Sequence, residues 1–390
     1  MMSETITRQE FLKKAAVVTG AVVAGPALSG TLSSLISLFP PPGTLKELPG
    51  LTNPLVREAL WWKSACAGVQ CTLCPFQCFL PEGMRGLCNV RGNYSGRLMT
   101  LVYAQPVAVH VDPIEKKPVY HLYPGSRSFS ISTVGCNLKC AFCQNWEISQ
   151  SLPEQAEGKP MSPEEVVRAA LLTQSASIAY TYGEPTVFYE YMFDTMKLAK
   201  EKGIRNVVIS AGYINEEPLR KIAPLIDVMK VDLKGFSEKF YRRVVKGELR
   251  FVLNTLVLLA KLGIFAEVVN LVVPTMNDHF DEIRKMCRWI RRELGPDIPV
   301  FFSRFTPQYQ LSNLPPTPLE TLRHAREIGM EEGLHYVYSG NNPGNPGENT
   351  YCPTCKNPLI ERYGYAVIAN RLKPGGFCPY DNTKIPGIWR

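Results

Sequence analysis

Histidine is scarce in this sequence. There are five in 390 residues, and His110, His121, His279, His324 and His335 include no pair at metal-binding spacing, so each reads as structural and an imidazole-based metal centre is not indicated. Charge of one sign is not gathered into a run either. The formal net charge is +8, yet Lys and Arg are spread along the chain, which permits an anionic partner without indicating one; no nucleic acid is expected. The densest basic stretch, Arg284 to Arg292, carries Ile283, Met286, Cys287 and Ile290 at helical spacing. It reads as the solvated face of an amphipathic helix with Cys287 in the core. Internal repeats are also absent, and the apolar run from Ala15 to Gly25 falls short of the ~20 residues a spanning helix needs unless Leu32 to Phe39 adds to it. No stable membrane span is expected.

Cysteine, by contrast, is abundant. Of twelve, ten fall into three tight clusters, at positions 71/74/78/88, 136/140/143 and 352/355/378. Cysteines two or three residues apart place their sulfurs on one metal, whereas disulfide frameworks link more distant positions, so the spacing favours metal. Such thiolates persist best in a reducing compartment, which points to the cytoplasm. The N-terminus pulls the other way: Thr7 to Lys14 before the small and apolar run, followed by Pro26, resembles a twin-arginine export signal with one arginine of the pair missing. It leaves export or membrane association open, and residues 1–50, ending in the linker Phe39 to Gly43, are set aside as leader and linker.

Residues 51–126 read as a Cys-rich module, loop-rich over Cys66 to Asn93 and ordered by metal rather than by core. From Ser128 apolar runs alternate with amphipathic stretches of crossover length: Phe129 to Val134, Ile178 to Tyr182, Asn206 to Ser210, Val228 to Val231, Ala266 to Val273 and Val300 to Phe302. Ser162, Pro163 and Glu165 spell a capping box at one helix start. Six strand–helix units predict an α/β fold over 127–339, an open partial (β/α)6 TIM-like barrel with its ligand at the carboxyl ends of the strands. Gly340 to Gly347 is a linker into a Cys-containing tail at 340–390 that resembles a zinc ribbon.

Gly135 to Cys143 directly follows the first barrel strand. Its C-x3-C-x2-C spacing offers three thiolates, by Cys136, Cys140 and Cys143, to a cluster of four irons. A zinc site or chance spacing is the bland alternative. An electron carrier would take a fourth thiolate; an iron left open can instead chelate the amino and carboxylate groups of S-adenosylmethionine (SAM).

On these residues the sequence resembles the radical SAM superfamily over about Ser128 to Phe305. The resemblance implies a 4Fe-4S cluster, SAM and its reductive cleavage to a 5′-deoxyadenosyl radical that abstracts hydrogen from substrate. It implies that Phe142 packs near the adenine, that Gly183 and Glu184, within Tyr182 to Thr186, receive the SAM amino group, and that Ser210, Asp232 and Lys234 meet the ribose and carboxylate. Low-potential electrons would come from a flavodoxin or ferredoxin. A narrower resemblance rests on Cys71 to Pro75, Cys78, Glu82 to Cys88, Val90 to Asn93, Asp112 to Pro118, Pro124 to Ser126, and Cys143 to Asn145 with Ile148 to Gln150. These match the AmmeMemoRadiSam system radical SAM enzymes, similar to pyruvate formate-lyase activating enzymes, and imply partner proteins of that system. The chain departs from the pattern at Gln77, where His is expected, at Gly183, where Asn is usual, and in the tail, where Cys352, Cys355 and Cys378 are followed by Asp381 rather than a fourth cysteine. That tail holds zinc through the aspartate or has lost its site. Cys71, Cys74, Cys78 and Cys88 complete either a structural zinc site or a second iron–sulfur cluster, with Cys66 an alternative ligand. The rival functions are a non-catalytic iron–sulfur electron carrier and a radical SAM enzyme that modifies RNA.

Overall fold

The computed structural model describes residues 55–155 and 157–390, so the leader-like segment and its twin-arginine resemblance lie outside the described residues. Among the described residues no helix is long and apolar enough to cross a membrane.

One eight-stranded sheet organises the chain: β1 (Ala108–Pro113), β2 (Arg127–Ser132), β3 (Ser177–Tyr180), β4 (Arg205–Ser210), β5 (Val228–Asp232), β6 (Phe265–Val272), β7 (Val300–Arg304) and β8 (Val337–Gly340). Each strand pairs with the next in sequence, β2 to β8 in parallel and β1 antiparallel to β2, and the sheet ends at β1 and β8 without closing. The six strands expected from apolar runs are β2 to β7. The sheet is wider than that reading: β8 adds a seventh parallel strand, and β1, drawn from the segment read as the Cys-rich module, adds an antiparallel edge. The central strands are buried on both faces, which is why they read as continuous apolar runs.

Six helices make the crossovers: α1 (Pro163–Leu172), α2 (Tyr189–Glu201), α3 (Glu216–Ile222), α4 (Leu249–Lys261), α5 (Phe280–Leu294) and α6 (Leu319–Glu331). At α1 the capping box forms: Glu165 N–H donates to Ser162 Oγ at 3.3 Å and Ser162 N–H to Glu165 Oε2 at 2.7 Å. A Ser162→Ala variant should lose about 1 kcal/mol of unfolding free energy, read by urea denaturation; no loss would show the cap to be idle. In α5, Ile283, Met286, Cys287 and Ile290 are buried, while Arg284 and Arg288 reach Glu332 at 3.0 Å. The basic stretch is therefore a paired, solvated helix face.

Two small antiparallel sheets precede β1. Trp62–Ala65, Gly68–Cys71 and Phe79–Leu80 form one, and Arg57–Glu58, Arg97–Thr100 and Arg91–Tyr94 the other. Their apolar residues, Val69, Leu80 and Leu98 among them, belong to the same hydrophobic core as Phe129, Val208 and Val231 of the barrel. After β8 a three-stranded sheet of Thr350–Tyr351, Pro358–Tyr363 and Ala366–Asn370 forms a tail. Leu359, Ile360 and Ile385 of this tail share a second core with Tyr120, Phe301 and Tyr338. His121 lies here, its ring nitrogens within 2.6 Å of the Pro386 carbonyl and 2.8 Å of the Tyr338 hydroxyl; burial drops its pKa to about 3, so it is a neutral structural histidine.

Candidate active site

Loops at the carboxyl ends of the parallel strands surround a cavity of about 370 Å³. The loop after β2 contributes its three cysteines, Cys136, Cys140 and Cys143, and Phe142; the other strand ends complete the wall. Local geometry explains why the chain turns as it does here. Gly135 has φ +99°, a region that disfavours side chains, and a Cβ on it would lie 2.6 Å from Val90 Cγ1 and 2.9 Å from the Cys88 carbonyl oxygen. Beyond it the loop is pinned by its own backbone: Lys139 and Ala141 N–H donate to Val245 and Val244 carbonyls at 3.2 and 3.0 Å, and Asn137 Nδ2 donates to the Tyr213 carbonyl at 2.8 Å. The thiols are thus presented by a fixed loop. Burial pushes the Cys140 thiol up to about 12 and raises Cys136 well above the ordinary range, so metal binding there displaces protons.

The predicted SAM-side residues divide. Phe142, Gly183, Glu184, Asp232 and Lys234 all line the cavity. The Phe142 ring stacks on Phe240 with centroids 6.0 Å apart, and the Lys234 ammonium stands 5.7 Å from its centroid. Asp232 holds two lysines, Lys230 in a short contact and Lys234 at 3.4 Å. Burial works against the Lys234 charge, but Asp232 beside it outweighs that and raises its pKa. Burial likewise opposes the Asp232 charge, and Lys230 and Lys234 reverse the effect and lower its pKa.

Ser210 and Glu184 are hydrogen-bonded to each other. Ser210 Oγ donates to Glu184 Oε1 at 2.7 Å and Ala211 N–H to Oε2 at 2.8 Å, while Thr186 N–H bonds Oε1 at 3.0 Å. The carboxylate is buried and joins the loops after β3 and β4, and it also lines the cavity. Ser210 is not among the residues lining the cavity. Gly183, where the resemblance led to Asn, has no room for a side chain: a Cβ would sit 2.8 Å from Ser132 Oγ, which accepts the Gly183 N–H at 2.9 Å.

Sequence reasoning missed a lysine-bearing part of the cavity wall. Asp112, at the end of β1, accepts from Lys116 at 2.8 Å, from Lys117 at 2.5 Å and from the Tyr182 hydroxyl in a short bond. Lys116 and Lys117 line the cavity. Burial brings the Lys117 pKa down to about 8 against the support of Asp112. The signal was present in Asp112 to Pro118, but as a resemblance without a chemical role. Tyr365, on the tail hairpin, also reaches the cavity, which nothing in its sequence neighbourhood announces.

The other two cysteine groups also assemble. Cys71, Cys74, Cys78 and Cys88 border one small apolar cavity together with Leu73, and Asn137, next to Cys136, borders it too. Cys66 is exposed and not part of that lining. In the tail, the sulfurs of Cys352, Cys355 and Cys378 and a carboxylate oxygen of Asp381 all lie within 4.8 Å of one another.

Residues 130–290 match the radical SAM superfamily. An uncharacterised protein of Methanocaldococcus jannaschii is 47% identical over 309 residues, covering 79% of this chain and 92% of its own length. The chain belongs to the radical SAM superfamily. This radical SAM enzyme is also 25% identical over 177 residues to the pyruvate formate-lyase-activating enzyme of Clostridium pasteurianum, covering 43% of this chain and 71% of that protein. Among solved structures, a radical SAM methyltransferase from Sphaerobacter thermophilus aligns over 58% of this chain and 71% of its own at 16% identity, with a TM-score of 0.44. Radical SAM enzymes work with a 4Fe-4S cluster and SAM, and the donors at the cavity suit that pair: three cysteines line it, leaving one iron of a four-iron cluster for a non-protein ligand.

Proposed function

We propose that Cys136, Cys140 and Cys143 hold the 4Fe-4S cluster and that SAM lies between it and the wall formed by Phe142, Gly183, Asp232 and Lys234. The single observation that carries this reading is that the three thiols and these side chains face one cavity at the strand ends. When bound, the cluster supplies one electron to the SAM sulfonium, releasing methionine and a 5′-deoxyadenosyl radical that takes hydrogen from substrate. The protein's part is orientation. Phe142 offers a flat apolar face for the adenine, Lys234 a charge for the carboxylate, and the Glu184 bridge keeps the Gly183 loop in register with β4. Anaerobic reconstitution followed by reduction with SAM should yield 5′-deoxyadenosine and methionine; a loaded cluster that binds SAM and never cleaves it refutes the proposal.

The cavity also suggests a substrate class. Lys116, Lys117, Lys230 and Lys234 stand against three acids, Asp232 and Glu184 on the wall and Asp112 bonded to Lys116 and Lys117, an excess of one lysine that favours a carboxylate or phosphate on the substrate. When a deuterated metabolite extract is split on an anion exchanger, label should enter 5′-deoxyadenosine from the retained fraction; transfer from the flow-through alone would overturn this reading. We further propose that the chain is the radical enzyme of an AmmeMemoRadiSam system, acting in the cytoplasm with a flavodoxin or ferredoxin as donor and with that system's other proteins as partners. Support comes from Asp112 to Pro118, part of the motif set behind that resemblance, whose Lys116 and Lys117 lie on the cavity wall. Residues 51–126 would then form a metal-bearing head and 127–339 the catalytic barrel.

A further inference from the structure

The tail contains two turns of the same construction. In the first, Lys356 N–H donates to the Cys352 carbonyl at 3.0 Å, Cys352 N–H donates to the Asn357 carbonyl at 3.0 Å, and Lys356 has φ 63°. In the second, Asn382 N–H donates to the Cys378 carbonyl at 3.1 Å, Cys378 N–H donates to the Thr383 carbonyl at 2.9 Å, and Asn382 has φ 62°. Residue for residue, Cys378 stands where Cys352 does, Asn382 where Lys356 does, and Asp381 where Cys355 does. The aspartate therefore fills a ligand position in an intact metal knuckle. It does not mark a site that has decayed.

The donor spacing is that of one tetrahedral metal ion. Cys355 and Cys378 sulfurs are 3.7 Å apart, and Cys352 Sγ lies 3.4 and 3.6 Å from the two oxygens of Asp381. A tetrahedral zinc with metal–sulfur bonds near 2.3 Å and metal–oxygen bonds near 2.0 Å requires about 3.8 Å between sulfurs and about 3.5 Å from sulfur to oxygen. A disulfide would bring the sulfurs to about 2.0 Å, and an iron–sulfur cluster would spread them, since each thiolate binds a different iron. We propose that Cys352, Cys355, Cys378 and Asp381 form a structural mononuclear zinc site. It is closed, with four protein donors, and independent of the SAM chemistry.

The site has something to hold. Cys352 and Cys378 are fully buried in the small core that joins the tail to β6 and β7. Between the two turns runs the hairpin whose Arg362 is buried, donating to the Tyr120 carbonyl at 3.1 Å and to Thr350 Oγ1 at 2.9 Å, and whose Tyr365 reaches the active-site cavity. In a module this small a metal staple adds to the packing and the Arg362 bonds that hold the hairpin.

The test is metal analysis of the full-length protein, comparing the unaltered chain with Asp381→Ala/Cys355→Ala and with Asp381→Cys. The double variant should carry one zinc per chain fewer, with iron unchanged, and Asp381→Cys should keep the full zinc content. Because the double variant can misfold, a second measurement uses folded protein: with cobalt in place of zinc, Asp381→Cys should intensify the sulfur-to-cobalt charge-transfer absorption over the unaltered chain. Equal zinc in all three proteins, iron as the metal lost, or a Cys355–Cys378 disulfide in the isolated protein would each overturn the assignment.

Discussion

A Cys140→Ala variant, reconstituted under the same anaerobic conditions as the unaltered enzyme, should release no more 5′-deoxyadenosine from SAM than a protein-free control. The expectation is an all-or-none loss, because two thiolates do not retain a four-iron cluster. Substitution by a neighbouring cysteine is blocked by the loop itself, whose backbone is tied to Val244 and Val245 on either side of Cys140. Iron should fall by about four atoms per chain. About four further irons remaining per chain would belong to a cluster at the head quartet, so the same preparation reports whether Cys71, Cys74, Cys78 and Cys88 carry an iron–sulfur cluster. SAM cleavage retained in Cys140→Ala would remove the basis for assigning the site to this loop.

The second large effect concerns stability. Arg91, on a head strand, and Glu190, in α2, form an ion pair at 3.0 Å with side chains only 2% and 7% exposed. Glu190 also accepts the Leu60 N–H at 2.7 Å, and Arg91 bonds the Leu60 carbonyl, so one carboxylate ties two head segments to the barrel. Glu190→Ala strands a buried guanidinium and should cost about 3–5 kcal/mol. Replacing both partners, as Arg91→Met with Glu190→Leu, should recover much of that loss, because the desolvation of the pair disappears along with its attraction. Urea unfolding of the three proteins decides it. A single-variant loss below about 1 kcal/mol, the size of an exposed pair, would mean the joint is not held this way.

The parts of this molecule legible in the sequence are those governed by local rules. Strands β2 to β7 are buried on both faces and announce themselves as apolar runs; Ser162 and Glu165 cap α1 through neighbours three residues apart; the three-cysteine loop follows its strand directly. What escaped depends on distant segments meeting. In β1 the alternation runs against the usual rule: Val109 and Val111 are 39% and 40% exposed while Asp112 is buried, because Asp112 serves Lys117 and Tyr182 at the cavity. The commitment of Glu184 to Ser210 and Ala211 likewise depends on how closely two loops approach. Asp381 was legible as one of two alternatives, a zinc ligand or the mark of a lost site, and the choice between them needs the two turns side by side.

The close fit at Gly135 also makes the head and the three-cysteine loop depend on each other. The Cys88 carbonyl oxygen would lie 2.9 Å from any Cβ at Gly135, and Gly135 is bonded directly to Cys136. One missing side chain therefore lets a head cysteine and a loop cysteine sit on neighbouring stretches of backbone. Filling that space would displace both turns together, so damage to either cysteine group is felt by the other.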